Sequence, residues 1–173
     1  MHPFLLNTIM NKNIFDDVEL QDVLAADSIN LLNDFIAEYG VNTVSIDKQR
    51  SLLEICILEG RDKLAMHLID LPDIDLDYQD VNGYSALHFA VQLNNLELVD
   101  ALIGKKITIN ATDRYGNTPL YKSVTEKVNP AIVIRLLESG ADIEQKNDFG
   151  YSPMRVINTN LPDIKSWISM NCK

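Results

Sequence analysis

A turn motif recurs at a nearly constant spacing and constrains the fold more than any other feature of this sequence. Its turn glycines are Gly83, Gly116 and Gly150, which lie 33 and 34 residues apart. The most regular copy runs from Asp113 to Gly140 and reads DRYGNTPLYKSVTEKVNPAIVIRLLESG. A fixed period of this length indicates a repeat architecture, in which each copy forms one supersecondary unit.

Each copy predicts a turn, a short helix, a longer helix and a return loop. In the regular copy, Gly116 permits the positive φ of a turn, and Thr118 can cap a helix that begins at Pro119. Apolar residues then recur at helical spacing up to Gly140, where a left-handed C-terminal cap is expected. The capping hydroxyls extend the series to four copies: Ser51, Ser85, Thr118 and Ser152.

These motifs resemble the ankyrin repeat family. Thr118-Pro119-Leu120 and Leu87-His88-Phe89-Ala90 together carry the T-P-L-H-x-A signature, and Leu136 to Asp142 is similar to the family's second-helix ending. The resemblance covers roughly Ile46 to the C-terminus. It implies an all-α fold, an ankyrin-repeat solenoid of about four helix-pair repeats with hairpin-like loops and an N-terminal helical cap.

The expected organisation is one cooperative unit, because 173 residues with 46% apolar composition can bury a sizeable core. Apolar spacing over Asp16 to Tyr39 predicts two amphipathic helices that cover the first repeat and end at Gly40. The predicted boundaries are an N-terminal segment and cap at 1–45 and repeats at 46–79, 80–112, 113–146 and 147–173, the last acting as a C-terminal cap.

Three copies depart from the pattern. The first has Gln49 in place of the turn glycine and reads SLLE where the family has TPLH, so we expect an altered turn. The third adds one residue between its helices, within Lys127-Val128-Asn129-Pro130. The fourth has Pro162 early in its second helix and Trp167 among the apolar positions. Terminal repeats are expected to be atypical because their outer faces meet water.

The sequence favours neither an enzyme nor a cofactor or metal site. In the resemblance, His88 is structural: its imidazole links backbone groups between repeats. No nucleophile, metal-ligand pair or glycine-rich phosphate loop accompanies it. Asp73, Asp75 and Asp77 alternate with apolar residues and enclose no glycine, which is unlike a calcium-binding loop and typical of a solvated edge.

The charge distribution argues against nucleic acid as a partner. There are 15 Lys and Arg against 25 Asp and Glu, a net charge of −10, which repels a polyanion. Through Asp80 the chain has 16 acids and 5 bases, whereas from Val81 onward it has 9 acids and 10 bases. The acidic first half has two interpretations: solubility, or a basic partner that faces it.

We expect a cytoplasmic protein that does not contact a membrane. The start, MHPFLLNTIMNKN, has an apolar patch too short for a signal peptide and no preceding positive charge. No window approaches the roughly 20 apolar residues that span a bilayer. Cys56 and Cys172 make no disulfide framework, and we expect both to be unpaired.

Protein binding is the remaining function class. In the resembled family, loop tips and the exposed inner helix form a concave recognition surface. The predicted partner-binding residues at those positions are Asn82, Tyr84, Gln92, Leu93, Arg114, Tyr115, Asn117, Glu126, Phe149 and Tyr151. Four of them are aromatic, and aromatic residues and arginine dominate interface hot spots. The alternative for the aromatic residues is packing between adjacent loops.

The SLLE run of the first copy and the GNTPLYKSV run of the third are similar, more loosely, to small stand-alone ankyrin proteins of bacterial polymorphic toxin systems. That resemblance implies a cytoplasmic immunity protein, monomeric when free, which neutralises a basic toxin domain by occluding its active surface. The alternatives are an ankyrin scaffold or regulator in a host or viral signalling pathway and a purely structural solenoid module.

Overall fold

A computed structural model describes residues 14–15, 17–46 and 49–171 of the chain. The chain divides into two compact units, Met1–Val81 and Asn82–Lys173. The described residues form ten helices and two short strands. Two predictions lie outside them: the segment before residue 14 and the state of Cys172.

The first unit contains the predicted cap and the first helix pair. Its elements are β1 (Ile14–Phe15), α1 (Asp17–Ala26), α2 (Ile29–Tyr39), β2 (Val44–Ser45), α3 (Leu52–Leu58) and α4 (Asp62–Asp70). The parallel pair of β1 with β2, which aligns Phe15 with Ser45, was not predicted. Phe15 is buried and packs edge-on against Phe35 of α2, with ring centroids 5.2 Å apart.

The two cap helices confirm the amphipathic pattern. Leu32 and Phe35 are buried on α2, which packs against α4. The Ser28 hydroxyl accepts from the Leu31 N–H at the start of α2, and Gly40 ends the helix at a φ of 89°. The side chain of Val18, which the pattern places in the first apolar stripe, is outside the described part of the structure. The cap therefore covers the first repeat through α2.

The second unit stacks three helix pairs. Its helices are α5 (Ala86–Gln92), α6 (Leu96–Gly104), α7 (Pro119–Thr125), α8 (Pro130–Glu138), α9 (Pro153–Asn160) and α10 (Pro162–Asn171). The first helices pack in the order α5, α7, α9, and the second helices in the order α6, α8, α10. This arrangement is the predicted helical solenoid, and each predicted repeat contains one helix pair. That the repeats unfold as one cooperative unit stays a prediction.

Local sequence explains where the helices begin and how they are joined. Thr118 caps α7 by accepting from the Tyr121 N–H at 3.1 Å. Three residues, 93–95, join α5 to α6, whereas four residues, 126–129, join α7 to α8. The extra residue predicted in the third copy is therefore confirmed. Asn94 and Lys127 both adopt a left-handed φ, of 57° and 56°, which turns the chain into the second helix.

The first turn is altered, as expected, but Gln49 keeps the backbone conformation of the glycines it replaces. Its φ is 47°, in the left-handed region that disfavours side chains. The turn is one residue longer, because the Ser45 N–H donates to the Arg50 carbonyl, whereas in the third copy Asp113 N–H donates to Asn117 four residues later. The Ser45 hydroxyl also accepts from the Arg50 N–H at 3.2 Å.

The return loops are hairpin-like at their tips without forming strands in the described second unit. In the third copy the Asp113 N–H donates to the Asn117 carbonyl, and the Gly116 N–H donates to the Asp113 carbonyl, both at 2.9 Å. The alternating run Ile107-Thr108-Ile109 lies in coil and turn. The longest helix of the described residues has 11 residues, well below the length that could cross a membrane.

Candidate protein-binding surface

The turns of the second unit satisfy their own backbone groups with one side chain each. Oδ1 of Asp113 accepts from the N–H groups of Tyr115 and Asn117, both at 2.9 Å. One repeat later, Oδ1 of Asn147 accepts from the Phe149 N–H at 3.1 Å and from the Tyr151 N–H at 2.9 Å. The turns therefore do not depend on the side chains at their tips.

Backbone hydrogen bonds join neighbouring tips. The Arg114 N–H donates to the Asn82 carbonyl at 2.8 Å, and the Asp148 N–H donates to the Tyr115 carbonyl at 3.0 Å. Close approach at these contacts requires glycine. A Cβ on Gly116, whose φ is 76°, would lie 2.9 Å from Oδ1 of Asp148 and 3.0 Å from its backbone nitrogen. Gly83 and Gly116 thus lie where one tip packs on the next, whereas a Cβ on Gly150, whose φ is 78°, would meet no atom within 4 Å.

Four predicted residues meet at the tips, and we call Asn82, Arg114, Tyr115 and Phe149 the tip cluster. Nη1 of Arg114 donates to Oδ1 of Asn82 at 2.8 Å, and its guanidinium lies 4.7 Å from the centre of the Tyr115 ring. The rings of Tyr115 and Phe149 are 6.3 Å apart and tilted by 35°. Tyr115 is 43% exposed and Phe149 is 66% exposed. The cluster therefore presents two aromatic surfaces and an oriented cation to solvent.

Tyr84 takes part in internal packing. It is half-buried, and its ring stacks on Phe89 at a centroid distance of 5.2 Å and lies 5.3 Å from the ring of His88. Nζ of Lys122 is 5.5 Å from the centre of the Tyr84 ring and 2.7 Å from Oε1 of Glu126. Burial alone lowers the pKa of Lys122, but hydrogen bonds to Glu126 and Tyr84 outweigh it and raise that pKa. Lys122 therefore keeps its positive charge, which is already paired with the carboxylate of Glu126.

His88 has the structural role that the resemblance implied. It is fully buried, and Nδ1 accepts from the Ser85 N–H at 3.2 Å. Nε2 lies 3.1 Å from the carbonyl oxygen of Asn117, and because a carbonyl only accepts, this nitrogen carries the proton. The Asn117 side chain is also engaged, since it donates to Asp113 and accepts from Asn147. Asn117 therefore links turns rather than presenting a free side chain.

Three predicted residues lie away from the tips. Gln92 is the last residue of α5, Leu93 follows it, and Glu126 follows the end of α7. The tips precede these helices, and a helix of seven residues is about 10 Å long. The structure therefore separates this group from the tip cluster. Tyr151 also stands apart: it is 42% exposed, and the Arg155 guanidinium lies 4.5 Å from its ring centre.

A groove between α7 and α9 was missed by the sequence interpretation. It has a volume of about 330 Å³ and is lined by Tyr121, Val124, Thr125, Lys127, Tyr151, Arg155, Val156, Thr159 and Asn160. One signal could have identified it. Tyr121 and Arg155 stand in the third and fourth copies where the second copy has His88, so a side chain that would link repeats is replaced twice.

The loop that carries Asp73, Asp75 and Asp77 is held by hydrogen bonds of its own, one of them made by the Asp75 side chain. Oδ1 of Asp75 accepts from the Asp77 N–H at 3.1 Å. Asn42 holds the same loop, because its Nδ2 donates to the Asp73 carbonyl and its Oδ1 accepts from the Asp75 N–H, both at 2.8 Å. Within the described residues, His, Cys, Asp and Glu side chains form no group of three that could hold a metal ion.

Stacked helix pairs whose turns hydrogen bond from copy to copy, with exposed aromatic tips, define a helical-repeat scaffold of the class that binds other proteins. A family model described as ankyrin repeats, in three copies, matches residues 52–147. The chain belongs to the ankyrin repeat family. The match ends where the fourth predicted copy begins, and that copy nevertheless forms the helix pair α9 and α10.

Similar proteins come from several sources. The chain is 30% identical over 87 residues to ankyrin repeat protein OPG189 of Variola virus, an alignment covering 50% of this chain and 15% of the viral protein. It is 28% identical over 121 residues to the nuclear factor NF-kappa-B p105 subunit of Gallus gallus, covering 68% and 12%. It is 30% identical over 121 residues to palmitoyltransferase AKR1 of Lachancea kluyveri, covering 68% and 16%. The chain therefore spans only a small part of each relative.

Proposed function

We propose that this ankyrin-repeat module binds another protein through its tip cluster. The observation that carries the proposal is the exposed pair of Tyr115 and Phe149, with Arg114 oriented beside it by Asn82. Aromatic side chains and arginine contribute most to interface hot spots. Because the turn geometry and the Asn82 contact already orient these groups, little further ordering is needed on binding.

We propose that the module has no catalytic activity, cofactor or nucleic-acid partner of its own. His88, a fully buried histidine, engages both ring nitrogens with Ser85 and Asn117. The net charge of −10 opposes a polyanion. A reducing, cytoplasmic setting is part of this proposal. Its support is that Cys56 is a free cysteine. Burial raises the pKa of this thiol to about 12, which suppresses the reactive thiolate.

For the narrower role we propose an immunity protein that neutralises a toxin domain by occluding its active surface. Its support is the acidic surplus through Asp80, 16 acids against 5 bases, which suits a basic partner. The second candidate is a scaffold or regulator in a host or viral signalling pathway. The similarity to a Variola virus ankyrin repeat protein and to the NF-kappa-B p105 subunit favours it.

The test of the tip cluster is a double variant, Arg114→Ala with Tyr115→Ala, used beside wild type as bait for affinity purification. Lys165→Ala, an exposed change on α10, is the matched control. We expect one protein to be retained by wild type and control and lost by the double variant. In calorimetric titration of that protein, the double variant should bind more weakly by about 2 kcal/mol or more.

Folding of the double variant is checked by chemical unfolding, where we expect a change within about 0.5 kcal/mol because the turn bonds use only backbone groups and Asp113. Unchanged affinity of a folded double variant would show that the interface lies elsewhere.

The two narrower roles predict different effects on the captured partner. Loss of the partner's toxic activity on adding one equivalent of this chain supports immunity, and an intact activity supports a scaffold.

A further inference from the structure

The groove between α7 and α9 has a composition unlike that of its neighbour between α5 and α7. Two tyrosines, Tyr121 and Tyr151, contribute to its walls, and two cations, Lys127 and Arg155, line it without any acidic residue. Between α5 and α7, in contrast, the cation Lys122 lies over Tyr84 and is already paired with Glu126 at 2.7 Å. Of these two grooves, the one between α7 and α9 combines aromatic walls with positive charge that no acidic residue of its lining compensates.

The residues that replace His88 in the third and fourth copies contribute to this groove. His88 is fully buried and connects α5 to the turn before α7 through the Asn117 carbonyl. Tyr121 and Arg155, at the corresponding positions of α7 and α9, are not fully buried and line the groove. The third and fourth copies thus present at this position a hydroxyl-bearing ring and a guanidinium, which are groups suited to ligand contact.

The two cations are positioned without being neutralised. The Arg155 guanidinium lies 4.5 Å from the Tyr151 ring centre, a cation–π arrangement that holds this exposed cation beside the ring. Lys127 is held on the left-handed connector after α7. In the part of the chain that the structure describes, neither cation has a carboxylate within ion-pair distance.

We propose that this groove binds an extended acidic segment of the partner protein, whose Asp or Glu carboxylate pairs with Arg155 and Lys127 while a neighbouring apolar side chain lies between Tyr121 and Val156. This rests on the proposed function, because it specifies the chemistry of the protein partner. A guanidinium forms paired hydrogen bonds with a carboxylate, and the aromatic walls favour a flat or aliphatic neighbour. An acidic segment needs only one or two carboxylates, which the two cations can pair, whereas a nucleic acid carries a charge on every phosphate and is repelled by the net negative charge of the chain.

The probe is a phage library of random 12-residue peptides selected on the immobilised wild-type chain. We expect the enriched peptides to share an Asp or Glu at one place, next to an apolar residue. The best peptide is then synthesised with a fluorophore and titrated by anisotropy against Arg155→Met and Lys127→Met, which keep much of the aliphatic stem but remove the charge. Lys165→Met, which removes an exposed lysine of α10 outside the groove, is the control.

We expect each groove variant to bind the acidic peptide at least about tenfold more weakly, the scale of a lost charge-assisted hydrogen bond, and the control to bind within twofold. Three results overturn the proposal: no peptide enriched above an Arg155→Met bait, enriched peptides without acidic residues, or an acidic peptide that binds Arg155→Met as tightly as wild type.

Failure of this proposal is distinguishable from failure of the proposed function. Each variant is also titrated with the partner captured by the wild-type chain. If Arg155→Met keeps the affinity of that partner while the Arg114 and Tyr115 double variant loses it, the groove proposal is wrong and the tip-cluster function stands. If Arg155→Met loses it and the double variant keeps it, binding takes place in the groove and the tip cluster is wrong.

Discussion

Glu54 occupies in the first copy the position that His88 occupies in the second. It is fully buried on α3, and its Oε2 accepts from the Ser51 N–H at 2.8 Å in a capping box. Burial is the largest influence on its pKa. The Ser51 hydrogen bonds lower this pKa, the buried Asp80 raises it and Arg50 lowers it, and the net result is about 8 against an ordinary 4.5. A carboxyl is thus held protonated at neutral pH where another copy holds a neutral imidazole.

The raised pKa of Glu54 predicts a stability that falls with rising pH. Since the folded state binds this proton more tightly than the unfolded chain, the free energy of unfolding declines as pH rises from about 4.5 to about 8. Glu54→Gln keeps an acceptor for Ser51 and removes the titration. We expect it to gain stability relative to wild type between pH 5 and pH 8 in urea unfolding.

The matched control for this prediction is Glu59→Gln, an exposed residue that follows α3. Its difference from wild type should be nearly independent of pH. Parallel curves for wild type and Glu54→Gln over the same pH range would show that the Glu54 carboxyl is ionised in the folded protein.

At the scale of elements, the helices of the second unit depend on one another for burial. Helices of seven to ten residues are too short to be stable alone in water, so packing of their apolar faces must supply the stability. Leu102 on α6 and Leu136 on α8 are both fully buried, and these two helices pack against each other. Stability therefore arises at the contacts between successive repeats, as in other solenoids.

Truncation of these leucines tests the repeat packing. Leu102→Ala and Leu136→Ala should each lower the free energy of unfolding by about 2–5 kcal/mol, because each removes buried methyl groups and leaves a cavity. Leu93→Ala makes the same chemical change at a residue that is 47% exposed, and it should cost at most about 0.5 kcal/mol. Denaturant melts of the three variants measure the contrast. Equal losses at all three positions would contradict the observed packing.

At the scale of the whole molecule, the change in charge coincides with the division into units. Residues through Val81 contain 16 acids and 5 bases, and residues from Asn82 onward contain 9 acids and 10 bases. The tip cluster and the groove belong to the nearly neutral unit. The acidic unit would therefore act on association through its long-range field rather than through the contacts of either site.

If the acidic unit attracts a basic partner, association should slow as ionic strength rises beyond about 0.1 M, where the Debye length is about 10 Å, while dissociation changes less. Stopped-flow kinetics with the captured partner measure both rates. Asp34→Asn with Glu38→Gln, exposed on α2, should reduce the salt dependence. Glu138→Gln with Glu144→Gln neutralises two exposed acids of the second unit and should leave it unchanged. Association rates independent of salt would assign the acidic charge to solubility.

Much of the fold was predictable because its determinants are local. The capping hydroxyls, the apolar spacing and the extra residue before Pro130 act within a few residues along the chain, so the helix pairs follow from the sequence. The residues at the loop tips could be predicted from the same alignment of the copies. The left-handed conformation of Gln49 was not predictable, because the intrinsic preference of a glutamine opposes it and neighbouring structure imposes it.

The sequence by itself determined the repeat, its helix pairs and the positions of its turns. The capping hydrogen bonds and the apolar periodicity that set these features act between residues close in sequence, and they recur in each copy. Tertiary structure alone decided what each side chain does once the copies stack. It placed Lys122 over the Tyr84 ring, brought Tyr115 beside Phe149, and opened a groove beside Tyr121 and Arg155. The physical reason is that such contacts join residues about 30 positions apart, and their geometry depends on the packing of one repeat against the next.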